Sequence, residues 1–412
     1  MRAAGHAALA ACLTLAACGP RPAPPPEPEP PAEAPAPAPE PEALSFRLTD
    51  FESLQGWAEA DQSAALSALR ASCARLARRD GAAAMSARVD WPGQASDWAE
   101  ACAAASTPDA AEDSARFFQT YFLPVALNAG ETQSGLLTGY FEPEMPVRAA
   151  PDAEFSEPIL ARPDDLVTAD LGLFDDELQG LSIVGQVQGG RFIPYDPRAQ
   201  ITPERAEILA WGRPADVFFL QVQGSGRLIF PDGRLERAAF AAHNGLPYQS
   251  IGRALVARGA LTLDQASKAG IERWMEQAGL AASRELMNEN PRYVFFETRP
   301  IGDPSVGPVG AEGVALTAMA SMAVDPAHHP YGLPVFLNVR LPQAAGDDQG
   351  VETGLLVIAQ DTGGAIKGPL RGDLFFGSGE SAGDLAGVMR HEARWTLLLP
   401  TELALSLADP AS

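Results

Sequence analysis

The chain lacks the cysteine patterns that hold metals or carry redox chemistry. Its 412 residues contain four cysteines, at 12, 18, 73 and 102, and none sits in a CxxC or Cys/His arrangement. Basic side chains are scarce: 30 Lys and Arg stand against 53 Asp and Glu, a net charge of −23. That balance argues against nucleic acid, which rewards a basic surface. Nor would such a chain be steered towards an anionic glycan, so affinity for one has to come from a local groove. The stretch Gly364-Ala-Ile-Lys-Gly has the wrong glycine spacing for a phosphate loop. Gly224-Ser-Gly226 lacks the spacing of a serine nucleophile elbow, and no Ser/His/Asp order suggests acyl transfer. His328-His329 has no obvious third ligand for a metal. No metal or other cofactor is therefore expected, and no internal repeat of fixed period is visible.

The N-terminus reads as an address. Arg2 precedes the apolar run Ala7–Ala17, too short to anchor in a bilayer, so residues 1–17 are expected to be a cleaved export signal. Leu15-Ala-Ala-Cys18 resembles the bacterial lipobox, in which Cys18 becomes the lipidated first residue. Gly19 is not the Asp associated with inner-membrane retention, so the resemblance implies an outer-membrane lipoprotein facing the periplasm. Residues 18–44 then form a linker of Pro, Ala and Glu, which would extend as polyproline II over roughly 75 Å. With Cys12 and Cys18 so used, the folded body keeps Cys73 and Cys102, either paired in an oxidising periplasm or present as two buried thiols.

About 365 residues remain, enough for two domains with separate cores. Apolar stripes predict helices over Ser53–Arg79, Trp91–Ala105 and Ala110–Phe122. From Leu136 the texture changes to short β-type runs such as Leu181–Val187, Arg191–Tyr195, Val217–Gln223 and Arg227–Phe230. Two helices follow, Ile251–Gly259 and Leu263–Gln277, the second capped by Thr262 and ended by Gly279. The last third is again β, in Tyr293–Glu297, Pro334–Val339, Leu355–Ala359 and Trp395–Leu399. Many short strands at this spacing suggest small barrels rather than an α/β layer.

The most informative stretch is Asp361-Thr-Gly-Gly-Ala-Ile-Lys-Gly368, followed by Arg371-Gly-Asp-Leu-Phe-Phe-Gly377 and Asp384. An aspartate at the end of a buried strand is poorly hydrated, and its carboxyl can become an acid near neutral pH. The plainer reading is that these aspartates cap turns beside glycines. Lys367 and Arg371 read first as solvated surface residues, with contact to a substrate carboxylate as the alternative. Asp361, Asp373 and Asp384 in this setting resemble the three-aspartate 3D domain. Thr138-Gly-Tyr-Phe-Glu-Pro143 and Tyr331-Gly-Leu-Pro-Val335 resemble the flanking signatures of the membrane-bound lytic murein transglycosylase A (MltA) family. The likeness runs from about Phe46 to about Pro400.

The resemblance implies a mostly β fold with N-terminal helices. A discontinuous double-psi β-barrel would be built from residues 45–140 and 293–405, with the 3D motif at about 355–390. A second β-barrel-like domain, 141–292, would be inserted, leaving a groove for glycan between the two. It also implies a lytic transglycosylase of peptidoglycan, which makes a 1,6-anhydromuramyl product without water. Asp373 would act as acid and then base, Asp361 would hydrogen-bond and tune it, and Asp384 would support them. Thr138, Gly139 and Tyr140 are expected to touch glycan at the hinge, and Gln223, Gly224 and Ser225 to do so after a strand of the insert. An inverting hydrolase, with Asp361 or Glu142 activating water, and a non-catalytic wall-binding lipoprotein are the competing readings. Expected partners are peptidoglycan strands and the outer membrane, with cell-wall synthesis or division proteins as candidates.

Overall fold

Six strands carry the site: Ser134–Glu142, Ser321–Ala323, Pro334–Leu341, Val351–Asp361, Gly372–Ser378 and Arg390–Pro400. They are seen in a computed structural model that describes residues 44–408, Asp264 excepted. The expected export signal, Cys18 and the spacer as far as residue 43 lie outside the described residues. Val335 to Leu337, Val357 to Ala359 and Leu397 to Leu399 have no solvent exposure. Covered on both faces, such strands read as continuous apolar runs instead of alternating ones.

Val351–Asp361 runs antiparallel to Pro334–Leu341 and parallel to Ser321–Ala323, which is antiparallel to Gly372–Ser378. That strand lies parallel to Ser134–Glu142, which pairs antiparallel with Arg390–Pro400. Arg390–Pro400 in turn pairs with Pro334–Leu341, so the pairings run round and return to where they began. Leu44–Leu48 and Phe122–Ala129 continue outwards from Arg390–Pro400.

Short helices cover this framework, and they are shorter than their apolar stripes predict. The first is Ser63–Leu76, although Leu54 and Trp57 ahead of it are still buried. The α-helix expected from Trp91 begins only at Ala99, after a 3₁₀ turn at Ala95–Trp98. The stretch from Ala110 to Phe122 breaks at Asp113, whose carboxylate accepts from the Arg116 backbone N–H at 2.9 Å and starts a new helix, Ser114–Tyr121. A Cys73–Cys102 disulfide joins Ser63–Leu76 to Ala99–Ala105, with Cα atoms 5.2 Å apart.

Buried residues of the largest apolar cluster come from 54–137 and 320–404, whereas three further clusters draw only on 145–296. The middle segment holds a four-stranded sheet (Glu144–Pro146, Gly226–Ile229, Leu235–His243, Val294–Pro300) and two smaller sheets. Two expectations fail there. Val217–Gln223 belongs to a helix, Pro214–Gln223, and is not a strand. Four consecutive residues, Val217–Leu220, are apolar because they lie between two clusters: Val217 and Leu220 enter one, Phe218 and Phe219 the other. A helix buried on two sides therefore mimics a buried strand in sequence. Pro214 starts it, and Gly224 (φ 86°) ends it, donating its N–H to Leu220 O at 2.9 Å. The later helix begins at Lys268, capped by Ser267 and not by Thr262; Gly279 interrupts it (φ 80°), and helix resumes to Asn288.

The disulfide closes a loop of 29 residues' separation, which should contribute about 3–4 kcal/mol by restricting the unfolded chain. Replacing Cys73 and Cys102 together by serine is expected to remove that amount in equilibrium denaturation followed by circular dichroism. An unchanged midpoint and slope would show that the bridge adds nothing.

Candidate active site

The strand register brings the two informative aspartates together. Ala323 pairs with Asp361 on one side and Asp373 on the other, and Asp373 pairs with Thr138. Opposed residues share a face, so Asp361, Ala323, Asp373 and Thr138 form a row across the sheet. Two strand spacings put the aspartate Cα atoms about 10 Å apart, and the small Ala323 leaves the space between them open. A register shift makes this possible. Met322 pairs with Ala359 but Ala323 with Asp361, so Gln360 is bulged out of the ladder. Without that extra residue Asp361 would turn to the opposite face. Gln360 is wholly buried, donating to Ala68 O and Ser72 Oγ, each at 2.8 Å, and accepting from Ser321 Oγ at 2.6 Å.

Each carboxyl is held by one of two alternate residues on the same strand. Thr138 Oγ1 donates to Asp373 Oδ1 at 2.5 Å, and Tyr140 OH to Asp361 Oδ2 at 2.8 Å. The second Asp361 oxygen accepts from the Ala311 backbone N–H at 2.9 Å. Ala311 is fixed in turn by Glu312, whose N–H donates to Gln360 O at 3.0 Å and whose carboxyl accepts from Ser72 Oγ at 2.7 Å. Arg371 Nη2 donates to Thr138 Oγ1 at 2.8 Å, which settles the direction of the Thr138 hydroxyl towards Asp373. The two aspartates share no hydrogen bond, contrary to the expectation that Asp361 would bond the other carboxyl. Asp373 Oδ2 thus has no partner among the described residues, while both oxygens of Asp361 are engaged.

Burial is the first cause of the electrostatics here. It pushes the Asp373 carboxyl up to about 6, against the opposing Thr138 hydrogen bond and Arg371 charge, and the Asp361 charge adds a smaller push in the same direction. Asp361 is also raised by burial, opposed by its hydrogen bonds from Ala311 and Tyr140. Burial lifts the Tyr140 phenol well above its ordinary value, with Asp361 adding to it. Such a row can hold one proton at Asp373 in mildly acidic solution and release it as pH rises, which is what a group serving alternately as acid and base needs.

Asp361, Ala323 and Asp373 line a cleft of about 310 Å³, whereas Thr138 is outside its lining. One side is lined by Gly139, Tyr140, Asp361, Asp373 and the Thr362–Ile366 loop, the other by residues of the middle segment including Gln223, Gly224, Phe240 and Arg292. Gly139 offers the cleft only backbone, because a Cβ there would come within 2.5 Å of the Phe376 ring. Gln223 is the last residue of its helix, and its Oε1 accepts the Phe141 N–H at 3.1 Å, linking the two walls. Ser225 is outside the cleft lining. Asp384 is exposed on a helix, Glu380–Val388, with no hydrogen bond to the row. Glu142 is wholly buried between Arg227 and Arg237, its oxygens bonded to both and to Ser378 Oγ, so it cannot activate water. Lys367 pairs with Asp325 at 3.6 Å. His329 is buried, with Nε2 2.6 Å from Pro369 O, and stacks on Trp395. Among the described residues no group of three His, Cys, Asp or Glu could hold a metal, and no helix is long and apolar enough to cross a membrane. Ala311, Gln360 and Arg292 were not foreseen; each reaches the site through contacts between distant segments that no local pattern marks.

Comparisons with known proteins single out the same two segments. The MltA specific insert domain matches residues 136–297 and the 3D domain residues 320–399. A membrane-bound lytic murein transglycosylase A from Vibrio cholerae is 35% identical over 288 residues, 68% of this chain and 71% of that protein. The crystal structure of a membrane-bound lytic murein transglycosylase from Agrobacterium tumefaciens, 31% identical, superposes with a TM-score of 0.75 over 88% of this chain and 99% of that one. Escherichia coli MltA with bound chitohexaose, 25% identical, gives 0.62 over 86% and 94%. The fold is thus that of the MltA proteins, mostly β with some helices. The chain belongs to the membrane-bound lytic murein transglycosylase A family.

A raised Asp373 has a consequence for stability. Between the ordinary value of 3.8 and about 6 the folded state binds more protons than the unfolded one, so stability falls as pH rises through that window. The cost above pH 6 is up to about 3 kcal/mol, reduced by cleft water. Asp373→Asn, which carries no charge, should therefore be more stable than wild type at pH 7.5 by about 1–3 kcal/mol, with the gain vanishing near pH 4. Denaturation of both proteins at the two pH values checks this; an equal difference at both would contradict it.

Proposed function

We propose that the chain is a lytic transglycosylase cleaving the β-1,4 bond between N-acetylmuramic acid and N-acetylglucosamine in peptidoglycan, with Asp373 as its only acid and base. The observation that carries this reading is the unpartnered Asp373 Oδ2 beside an Asp361 whose oxygens are both engaged. Hydrolysis by inversion needs a second carboxylate to activate water; Glu142 is buried in ion pairs, and Asp361 already accepts a hydrogen bond at each oxygen, which lowers its basicity. With one working carboxyl, protonated Asp373 gives its proton to the glycosidic oxygen as the C1–O bond breaks. The resulting carboxylate takes the proton of the muramyl C6 hydroxyl as that oxygen bonds to C1. The 1,6-anhydro ring closes, Asp373 regains its proton, and no water is consumed. Asp361, fixed by Tyr140 and Ala311, sets orientation and charge nearby. Thr138 holds Asp373, and Tyr140, Gly139, Gln223 and Gly224 shape the glycan cleft. Asp384, distant from the row's hydrogen bonds, keeps only a supporting part.

The ring of six strands, with its parallel pairs, supports a double-psi β-barrel assembled from about 45–140 and 293–405, and the separate apolar clusters support 141–292 as an inserted domain. Leu15-Ala-Ala-Cys18, the disulfide and the membrane-bound relatives support a Cys18-anchored lipoprotein of the outer membrane that faces an oxidising periplasm. Cys18→Ala should abolish the lipid mass on the mature N-terminus; a wild-type chain starting unmodified at another residue would contradict the anchor.

Asp373→Asn should lower release of anhydro-muropeptides from sacculi by 10⁴-fold or about that, the upper end for general acid–base catalysis. Wild-type activity should fall above about pH 6 as the acid loses its proton. Asp361→Asn should retain more activity and move that limb only slightly down, since burial and not the Asp361 charge is the main cause of the raised carboxyl. Mass spectrometry of the products tests the reaction itself. Hydrated reducing ends would indicate a hydrolase, and intact sacculi a binding protein.

A further inference from the structure

Three guanidinium groups, those of Arg198, Arg292 and Arg371, line the cleft of a chain whose net charge is −23. None forms an ion pair with a carboxylate of the described residues, whereas Arg227 and Arg237 nearby both pair with Glu142. Two of the three are committed within the protein. Arg198 donates to Asn290 O and Arg292 O and lies over the rings of Phe218 and Tyr293. Arg371 donates to Leu136 O, Gly372 O and Thr138 Oγ1.

Arg292 is different. Among the described residues its side chain makes one hydrogen bond, from Nη1 to Leu246 O at 3.2 Å. A guanidinium has five N–H donors in a fork matched to a carboxylate, so most of this one is left for something outside the chain. Burial alone lowers its affinity for the proton, with no carboxylate offsetting the loss, and the adjoining His243 is held neutral by burial and by the Arg292 charge. Keeping a partly buried cation without a counter-charge is costly. The backbone of Arg292 is nevertheless fixed at both ends: its N–H donates to Asn290 Oδ1 at 3.2 Å, and its carbonyl accepts from Arg198 at 2.7 Å. The guanidinium lies over Gly364, where a Cβ would come 3.5 Å from Arg292 Cζ, so it faces the loop that leaves Asp361. A rigid, unpaired cation across the cleft from the acid is a prepared anion site.

We infer that Arg292 is a specificity residue that binds a carboxylate carried by the muramyl sugar, either its own lactyl group when free or one on the peptide attached there. The inference rests on the glycan-cleaving reading and adds to it a preference for acidic muramyl chains over neutral chitin-like ones. It also supplies the local attraction that an acidic protein needs for an acidic polymer.

The test uses the mature chain carrying Asp373→Asn, so that ligands persist, with and without Arg292→Gln or Arg292→Lys. Calorimetry would follow three probes: chitohexaose, a peptide-free tetrasaccharide of alternating N-acetylglucosamine and N-acetylmuramic acid, and the same sugar bearing its stem peptides. Arg292→Gln is expected to weaken binding of an acidic probe about 10- to 100-fold, the scale of a charge-assisted hydrogen bond. Chitohexaose should be unaffected, and Arg292→Lys should lie between. A loss confined to the peptide-free sugar assigns the lactyl carboxylate, and one confined to the peptide-bearing sugar the stem carboxylate. Equal losses for chitohexaose and the acidic probes, or no loss for either acidic probe, would overturn the inference alone. Failure of the Arg292 protein to bind any of the three would overturn the glycan reading and this inference with it.

Discussion

Everything at the site depends on a carboxylic acid being half-buried at a strand pairing. Asp373 stands in register with Thr138 on one side and Ala323 on the other, on strands from opposite ends of the chain. Burial there keeps a proton on the carboxyl into mildly acidic solution, and the Thr138 hydroxyl ties one oxygen while the other has no partner among the described residues. A mobile surface aspartate would be neither protonated at the right pH nor aimed. The cost is borne by the surrounding framework, whose paired strands and covering helices hold the group where water alone would ionise it.

The framework reaches the site through a single displaced residue. The bulge at Gln360 turns Asp361 into the cleft and sends the Gln360 amide inward to the Ser63–Leu76 helix. Ser72 on that helix bonds Glu312, and burial pushes the Glu312 carboxyl up to about 7. The neighbouring Ala311 N–H closes the circuit on Asp361. Helix, loop and strand are thereby coupled behind the two aspartates. Cys73, beside Ser72, ties the same helix to the next one. The middle segment contributes the facing wall, where Gln223 accepts the Phe141 N–H and Arg292 lies over Gly364 of the Asp361 loop. A small loosening on either side would therefore be felt at the aspartates.

Much of this could be read from residue pattern, and the exceptions have physical causes. Strands buried on both faces, such as Val335 to Leu337, declare themselves because burial demands unbroken apolar runs. Asp361 and Asp373 stood out because carboxylates are rare at the ends of such runs. Their adjacency did not, since it depends on Ser321–Ala323, three residues too few to mark a strand. The helix Pro214–Gln223 reads as a strand because packing against two apolar clusters makes Val217–Leu220 an unbroken apolar run. Asp384 shares the motif but falls on an exposed helix, which spacing alone cannot distinguish from the cleft. Arg292 carries no local signature, because what sets it apart is the absence of a partner in space.

Direct titration of the Asp373 carboxyl is the most searching measurement, by infrared difference spectroscopy of the wild-type chain against Asp373→Asn across pH. The expected result is a protonated carboxyl band that disappears with a midpoint near 6. A midpoint near the ordinary value of 3.8 would leave no proton on Asp373 for the leaving sugar at working pH, and would contradict the role proposed for it as the acid.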